Sequence, residues 1–365
     1  MFDIALGIFL FLSPIFFLPK PIGNVNALQF YQFGVLGNSG YNYLQLLFFG
    51  AGIITLLIIA LLTAKPQREF EDKWAVALFG LFCLSVYFHP IGIKSFGNIL
   101  LGFLLYYLVI VYTKNYKTLF KFIFSVALLN TIFAILQFFN INLIYSESGV
   151  KGLMCISNQL GFYQALSVPI CYTLSPYLVI VPLVGLLLSK SILGFLAMLV
   201  GMIYLLYPKI KKIRVSLIYI QVLFSVFLLF ILKYHNILIQ KIQIRGFVWW
   251  ETLKLSLDKY FVGYGFNKFS VLHGRQVYEN PYNIYLQVFY ILGIAGVICL
   301  AMFLKDKFIY KIDRTIFASC LTLLVIGLGF CFMDFPRLAG TAIVSFGLLT
   351  LANDTEHRKV GVPLK

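Results

Sequence analysis

Long apolar runs joined by short polar segments fill the chain, and this pattern limits the available folds more than any other feature. Of the 365 residues, 61% are hydrophobic and 12% are charged, whereas soluble domains are about half apolar and about a quarter charged. A soluble core of this size cannot bury so much apolar surface. We therefore predict an all-α fold, a polytopic membrane helical bundle that forms one integral membrane domain over residues 1–365.

The number of apolar runs sets the number of spans. A spanning helix needs about 20 apolar residues, and by that measure the chain holds about 12 transmembrane helices. Two of the candidates, 177–188 and 191–207, are short and are separated only by Ser189 and Lys190. They are either two short helices that meet near one face or one long bent helix, and the sequence leaves both arrangements open.

Lysine and arginine are concentrated in the loops 64–73, 114–121, 208–215 and 305–314 and in the C-terminal tail. With twelve spans, these segments lie on one side together with both termini, and the short loops on the other side hold one basic residue each. The positive-inside rule then places both termini in the cytoplasm. This arrangement also explains the formal charge of +16, so we predict membrane lipid and no nucleic acid as partners.

One long hydrophilic loop, 234–282, faces outward in this topology. Apolar side chains recur in it at helical spacing, opposite a charged face, which predicts an amphipathic helix that glycines end. The apolar positions are Trp250, Leu253, Leu257 and Phe261, and the glycines are Gly263 and Gly265. Such a helix either rests on the bundle or at the lipid interface, or covers a substrate groove as a lid.

Four stretches carry a resemblance to a known family. In chain order they are GLMCISNQLGFYQALSVPI at 152–170, LLLSKSILGFLAMLVG at 186–201, RGFVWWETLKLSLDKYFVGYGFNKF at 245–269 and NPYNIYLQVFYILGIAG at 280–296. Together they make the region 152–302 resemble the O-antigen ligase / O-antigen polymerase superfamily of bacterial membrane glycosyltransferases. Two positions depart from the family pattern: Lys190 stands where the family often has arginine, and Tyr282 where it has histidine.

The resemblance implies glycosyl transfer from undecaprenyl pyrophosphate at the periplasmic face of the bacterial inner membrane. The acceptor would be another lipid-linked glycan in a polysaccharide polymerase, or lipid A core in an O-antigen ligase. In both cases the pathway would be O-antigen, lipopolysaccharide or surface polysaccharide biosynthesis, with polysaccharide assembly proteins as further partners. Such enzymes use no cofactor, metal or nucleotide sugar.

The candidate site residues follow from the chemistry of this transfer. A departing pyrophosphate needs cations where its charge develops. The outer loops lack an acidic cluster for Mg²⁺, so arginine and lysine must supply them. Arg245, whose planar fork suits phosphate oxygens, is the first candidate, followed by Lys190 and Arg337. Each of the three also has a structural explanation, such as snorkelling at a helix end.

Proton transfer to or from the acceptor requires further groups, for which we predict Tyr282, Asn283 and Glu279. A tyrosine with a pKa near 10 is a poor base at neutral pH, but it donates hydrogen bonds to phosphate and stacks on sugar rings. His273 and Asp334 are further acid–base candidates. Just beyond, Gly293 and Gly296 are predicted to let the helix that follows Asn283 pack closely against a neighbour.

A polysaccharide flippase or transporter is the alternative from another functional class. Twelve spans with both ends inside is a common carrier arrangement, and carriers often show two matching halves. The sequence shows no such repeat, and charges within the span cores are scarce. These two features favour the enzyme.

Overall fold

A computed structural model describes the protein over residues 1–12, 40–88, 93–141, 150–154, 157–210, 239–240, 242–265, 269–274, 276–278, 281–308, 313–330 and 336–360. Over these ranges the chain is mostly helical. In chain order the helices are α1 Phe2–Leu12, α2 Gly40–Thr63, α3 Lys73–Phe88, α4 Ile93–Tyr112, α5 Tyr116–Phe138, α6 Ser157–Leu174, α7 Ile180–Ser189, α8 Ile192–Ile210, α9 242–258, α10 Ile284–Phe308, α11 Arg314–Gly327 and α12 Pro336–Val360. A short 3₁₀ helix, Pro176–Val179, precedes α7.

The fold is not purely helical, because the outer loop contains a small sheet. Strands β1 (Val271–His273) and β2 (Gln276–Tyr278) pair in antiparallel fashion, with Val271 opposite Tyr278. Hydropathy along 234–282 did not predict this hairpin, since two three-residue strands are too short to show an alternating pattern.

Two helices, α5 and α10, are both long enough and apolar enough to cross a membrane. The other apolar helices are shorter over the described residues, and the candidate span 216–233 lies outside them. The number of about 12 spans therefore stays a prediction.

The ambiguous segment 177–207 forms two helices, α7 and α8. Their junction is a tight turn in which Lys190 adopts a left-handed conformation with φ 54°. Both helices pack on α6, where Gly161 makes room for the turn, because a Cβ at Gly161 would lie 2.3 Å from Cβ of Ser191. The segment is therefore two short helices, which is one of the two arrangements that the sequence left open.

Three of the basic loops, 64–73, 114–121 and 305–314, lie at one end of the bundle, which we call the basic end. Hydrogen bonds join the loop 64–73 to α12, the start of α5 to the residue before α11, and the segment just before α5 to α1. The hydrogen bonds are Arg68 Nη1 to Leu351 O (2.7 Å), Tyr116 Oη to Asp313 Oδ2 (2.9 Å), and Lys114 N and Asn115 N to the carboxylate of Asp3 (3.1 and 3.0 Å).

A buried ion pair lies at the same end. Lys307, on the last turn of α10, contacts Asp72 at 2.6 Å, and both side chains are less than a tenth exposed. Asp72 also accepts a hydrogen bond from Tyr106 Oη at 2.5 Å, and Tyr106 in turn meets Thr350 Oγ1 at 2.7 Å. This network connects the start of α3 with α4, α10 and α12. Lys307, which the sequence predicted in the basic loop 305–314, therefore lies in a helix and links four helices.

Several polar side chains are buried inside the bundle, and several large apolar ones are exposed on its outside. Gln164 on α6 is fully buried and donates to Ala127 O and Thr131 Oγ1, both at 3.1 Å. In contrast, α8 exposes an apolar stripe at helical spacing, made of Leu196, Val200, Ile203 and Tyr207. Water does not favour a continuous apolar stripe, whereas lipid does.

Helix α10 is interrupted at Gly293, whose φ is 63°. The segment after α9 lies in this break: Tyr264 N and Gly265 N donate to Tyr290 O and Ile291 O at 2.7 and 3.0 Å, and Ile294 N donates to Tyr260 O at 2.6 Å. The sequence predicted close packing at Gly293. The structure shows that its neighbour there is loop backbone, since a Cβ at Gly293 would lie 2.6 Å from Phe261 O.

Candidate functional site

Arg245 lies at the end of the bundle opposite the basic end, on the first turns of α9. Its guanidinium packs on Gly329, just after α11, because a Cβ at Gly329 would lie 2.9 Å from Arg245 Nη1. Burial lowers the pKa of Arg245 from its ordinary value, and the nearby Tyr282 acts in the opposite direction. An arginine stays protonated despite such a shift, so the site holds a partly desolvated positive charge.

Asn283 is the N-cap of α10 and is 7% exposed. Its Oδ1 accepts hydrogen bonds from Tyr285 N and Leu286 N at 3.0 and 3.1 Å, and its Nδ2 donates to Leu328 O at 3.0 Å. The side chain thus satisfies free N–H groups of α10 and joins that helix to the end of α11. This geometry makes Asn283 a positioning residue for Tyr282 and for the Gly329 turn.

Tyr282 adopts a left-handed conformation with φ 53°. Residues other than glycine seldom do so, and such backbone costs on the order of 1–3 kcal/mol when the surrounding structure enforces it. The enforcing contacts are the Asn283 cap on one side and Tyr278 on the other, whose ring centroid lies 6.3 Å away. The half-buried phenol is thereby placed within electrostatic range of Arg245.

Lys190 sits at the same end of the bundle, exposed on the turn between α7 and α8. Three residues further, Leu193 contacts the same glycine as Arg245, since a Cβ at Gly329 would lie 2.7 Å from Leu193 Cδ2. Gly329 is therefore contacted by Arg245 from α9 and by Leu193 from α8.

Three further predicted residues, Glu279, Asp334 and Arg337, lie wholly or partly outside the described part of the chain. Glu279 lies outside the described residues, as does Asp334. Arg337 is the second residue of α12, which places its backbone on the first turn of that helix, and its side chain is not among those described. Their predicted roles stay predictions.

The predicted outer helix exists as α9, and its apolar side faces away from the bundle. Trp250 and Leu257 are more than half exposed, as is Phe261 just beyond the helix, whereas Thr252 and Ser256 are fully buried. The interfacial position is therefore favoured over a cap whose apolar face rests on the bundle. The three backbone hydrogen bonds at the α10 break also hold the end of α9 in place, which argues against a freely opening lid.

Sequence reasoning missed Gly329 and the aromatic residues around the site. The run GLG at 327–329 was a usable signal, because paired glycines at a helix end often permit a close approach. His273, on β1, has its ring 4.3 Å from that of Phe247, two residues after Arg245. The hairpin therefore contacts α9 through His273 and the residue before the cap of α10 through Tyr278.

This arrangement suits an anionic ligand with a polyhydroxylated part. The guanidinium of Arg245 provides charge and planar donors for phosphate oxygens, and Tyr282 adds a phenolic hydroxyl beside it. Tyrosine rings offer flat apolar faces with a polar tip. In the described part of the chain no three His, Cys, Asp or Glu side chains group together as metal ligands. Comparison with known proteins gives no matching family model and no matching curated protein.

Proposed function

We propose that the chain is an integral membrane glycosyltransferase that polymerises glycan units carried on undecaprenyl pyrophosphate at the periplasmic face of the bacterial inner membrane. The observation that carries the proposal is the convergence at Gly329, where Arg245 meets the end of α11 beside Tyr282 and Asn283. These residues come from two of the four stretches that resemble the O-antigen ligase and polymerase superfamily. A third stretch contributes Leu193.

A bilayer location is supported by where apolar and polar side chains lie. Helix α8 exposes Leu196, Val200 and Ile203 in a row, while Gln164 on its neighbour α6 is buried and hydrogen-bonded. Helices α5 and α10 have the length and apolarity of membrane spans. Because three of the basic loops share one end, the positive-inside rule puts that end in the cytoplasm and Arg245 on the periplasmic side.

In the proposed reaction the acceptor hydroxyl oxygen attacks the anomeric carbon of the donor glycan. The bond from that carbon to the pyrophosphate oxygen breaks, the electron pair stays on the pyrophosphate, and the acceptor proton leaves to a base. Arg245 stabilises the developing negative charge, with Lys190 as a second cation. Tyr282 donates a hydrogen bond to the leaving group, Asn283 holds Tyr282 in position, and Glu279 is our candidate for the base.

Two other functions make different predictions. A ligase uses the same donor chemistry and differs in transferring the glycan once, to lipid A core. A flippase or transporter is favoured by the interruption of α10, because broken helices mark substrate sites in many carriers. In this chain the segment 260–265 already occupies the break and satisfies its backbone groups, which weighs against that use.

The test is transfer by the purified protein in detergent. Given labelled undecaprenyl pyrophosphate glycan, without ATP or divalent metal, a polymerase produces a ladder of longer lipid-linked products. A ligase produces a single transfer and only when lipid A core is added. Movement of the lipid across proteoliposomes without any new glycosidic bond would establish the transporter and reject the enzyme.

The site assignment needs matched variants in the same assay. We expect Arg245→Ala to lower turnover by at least about 100-fold, because one preorganised charge on a developing anion contributes several kcal/mol. Lys254→Ala, on the same helix but exposed and paired with Glu251, is the control and should keep its activity. Full activity in Arg245→Ala at normal expression rejects the pyrophosphate-binding role.

A further inference from the structure

The segment that follows α9 docks on α10 partway along that helix. Residues 260–265 lie in the break at Gly293, where a Cβ would be 2.6 Å from both Tyr260 O and Phe261 O. Ile294 N donates a hydrogen bond to Tyr260 O at 2.6 Å. The depth of the segment in a membrane is therefore set by the position of Gly293 along α10.

That position follows from where α10 reaches the basic end. Lys305 is exposed on the last turns of α10, and an exposed lysine does not stay in hydrocarbon, so it marks the inner edge of the bilayer core. From Lys305 to Gly293 the helix rises about 18 Å, whereas the hydrocarbon core is about 30 Å thick. Gly293 therefore lies about 12 Å below the outer edge of the core, and any tilt of α10 would place it deeper.

The hydrogen bonds at the break suit a site without water. A broken helix frees backbone N–H and C=O groups that lipid cannot satisfy. Here Tyr290 O accepts from Tyr264 N at 2.7 Å, while Ile294 N, its partner in a continuous helix, donates to Tyr260 O. Ile291 O accepts from the last N–H of the segment at 3.0 Å. The segment thus supplies the partners that a helix broken inside a bilayer needs.

The other side of this segment is apolar and exposed. Phe261 and Val262 are 65% and 62% exposed, and Tyr260 is nearly half exposed. The backbone of Tyr260 is bonded to Ile294, which is exposed together with Ile298 one turn further along α10. The exposed apolar surface of the span therefore continues onto the segment.

Two ionisable side chains, Asp258 and Lys259, are exposed directly before the segment. Ionised groups are costly in hydrocarbon, so both heads must reach water. A lysine stem lets its ammonium extend towards the surface, and that of Lys259 lies over the ring of Tyr264 at 4.7 Å. A bilayer thins around a short apolar surface at modest cost, so we expect a thinner outer leaflet around the end of α9.

We propose that residues 260–262 are inserted among the acyl chains of the outer leaflet and held there by the break in α10. The sequence predicts these residues in an outer loop, and the partner of their exposed surface would instead be lipid. The inference rests on the bilayer location proposed above and is independent of glycosyl transfer. The insertion would anchor to the membrane the end of α9, the helix that carries Arg245 on its first turns.

Photolabelling of the full chain in proteoliposomes tests the insertion. The probe is a phosphatidylcholine with a diazirine in the middle of one acyl chain, and mass spectrometry locates its adducts. We expect adducts on Phe261 and Val262 at a yield comparable with that on Ile298. Leu272 and Val277 are the matched control and should carry none. They are also apolar and more than half exposed, but they belong to the hairpin that precedes the outer end of α10.

Cysteine accessibility in spheroplasts gives a second readout. Val262→Cys should react with a membrane-impermeant maleimide at least about tenfold more slowly than Val277→Cys, because apolar surroundings suppress the reactive thiolate. The parent chain, which has six cysteines, gives the background.

Equal reaction rates of Val262→Cys and Val277→Cys would overturn the insertion. Protection of Val262→Cys without lipid adducts on Phe261 and Val262 would overturn the lipid occupant, since a protein would then cover the segment. Adducts missing from Ile298 as well would overturn the shared bilayer location. Neither readout requires transfer activity, so a failure of the enzyme proposal leaves both results valid.

Discussion

The guanidinium of Arg245 packs directly on Gly329, so that a helix of the outer loop and the end of α11 meet at a position where no side chain fits. We expect Gly329→Ala to displace Arg245, because the new methyl carbon would lie 2.9 Å from Nη1 and 2.7 Å from Leu193 Cδ2. Transfer activity should then fall towards that of Arg245→Ala. Gly246→Ala is the control: it is one residue from Arg245, and its Cβ meets no heavy atom within 4 Å. Equal activity in both variants would contradict the contact.

Removal of the charge at Arg245 should separate stability from activity. Burial lowers the pKa of Arg245, which means that the fold disfavours its charged form relative to the unfolded chain. The guanidinium stays charged through the neutral range, so this cost is present at every working pH and would lessen only at strongly alkaline pH. We therefore expect Arg245→Met to unfold at a higher temperature than the parent while losing transfer activity. A lower unfolding temperature would show that the contacts of the Arg245 side chain stabilise the fold by more than the desolvation of its charge destabilises it.

The cap of α10 depends on Asn283. Asn283→Ala loses two accepted hydrogen bonds and one donated to Leu328 O, and the loss of a cap typically lowers the free energy of unfolding by about 1 kcal/mol. Asn283→Asp retains the capping oxygen and loses the donation to Leu328 O. Thermal unfolding in detergent should thus rank the parent above Asn283→Asp and Asn283→Asp above Asn283→Ala. An unchanged unfolding temperature in Asn283→Ala would rule out this role.

The break in α10 should be sensitive to any side chain at Gly293 or Gly263. Both have positive φ, and a Cβ at either would lie within 3 Å of the opposing backbone. Each alanine variant should release the segment 260–265 and increase its amide hydrogen exchange. Gly274→Ala is the control: it introduces backbone strain without a steric collision, since Gly274 has φ 60° but open space around it. If Gly274→Ala increases exchange in 260–265 as much, backbone insertion is not what holds the segment.

The buried pair of Lys307 and Asp72 should respond more strongly to single than to double substitution. Lys307→Met leaves the Asp72 carboxylate buried without its cation, which typically costs about 3–5 kcal/mol. Lys307→Met combined with Asp72→Asn removes both charges, and we expect it to recover much of the loss. Comparison of unfolding temperatures for the two singles and the double gives the coupling. Additive losses would show that the pair is not coupled.

The predicted site residues fared differently for a physical reason. Arg245, Tyr282 and Asn283 were predicted from residue chemistry and motif order, and the structure places them near one another, while their roles stay predictions. The motifs did not indicate that Asn283 would use its amide as a helix cap or that Tyr282 would be left-handed. The hydrogen bond from Asn283 Nδ2 to Leu328 O depends on the end of α11, 45 residues further along the chain, which no local pattern around Asn283 encodes.

The sequence by itself determined the helical character of the chain, the position of α9 and the grouping of the basic loops. Each of these follows from local hydropathy, periodicity and charge. Only the tertiary structure decided which side of α9 faces the bundle, where α10 breaks and what Arg245 touches. Helical periodicity distinguishes an apolar from a polar face of α9, but it does not say which face packs on the bundle. In a soluble protein the apolar face would be expected inside, whereas here Thr252 is buried and Trp250 is exposed. The break and the Gly329 contact arise from close approaches between distant segments, which only the packed chain specifies.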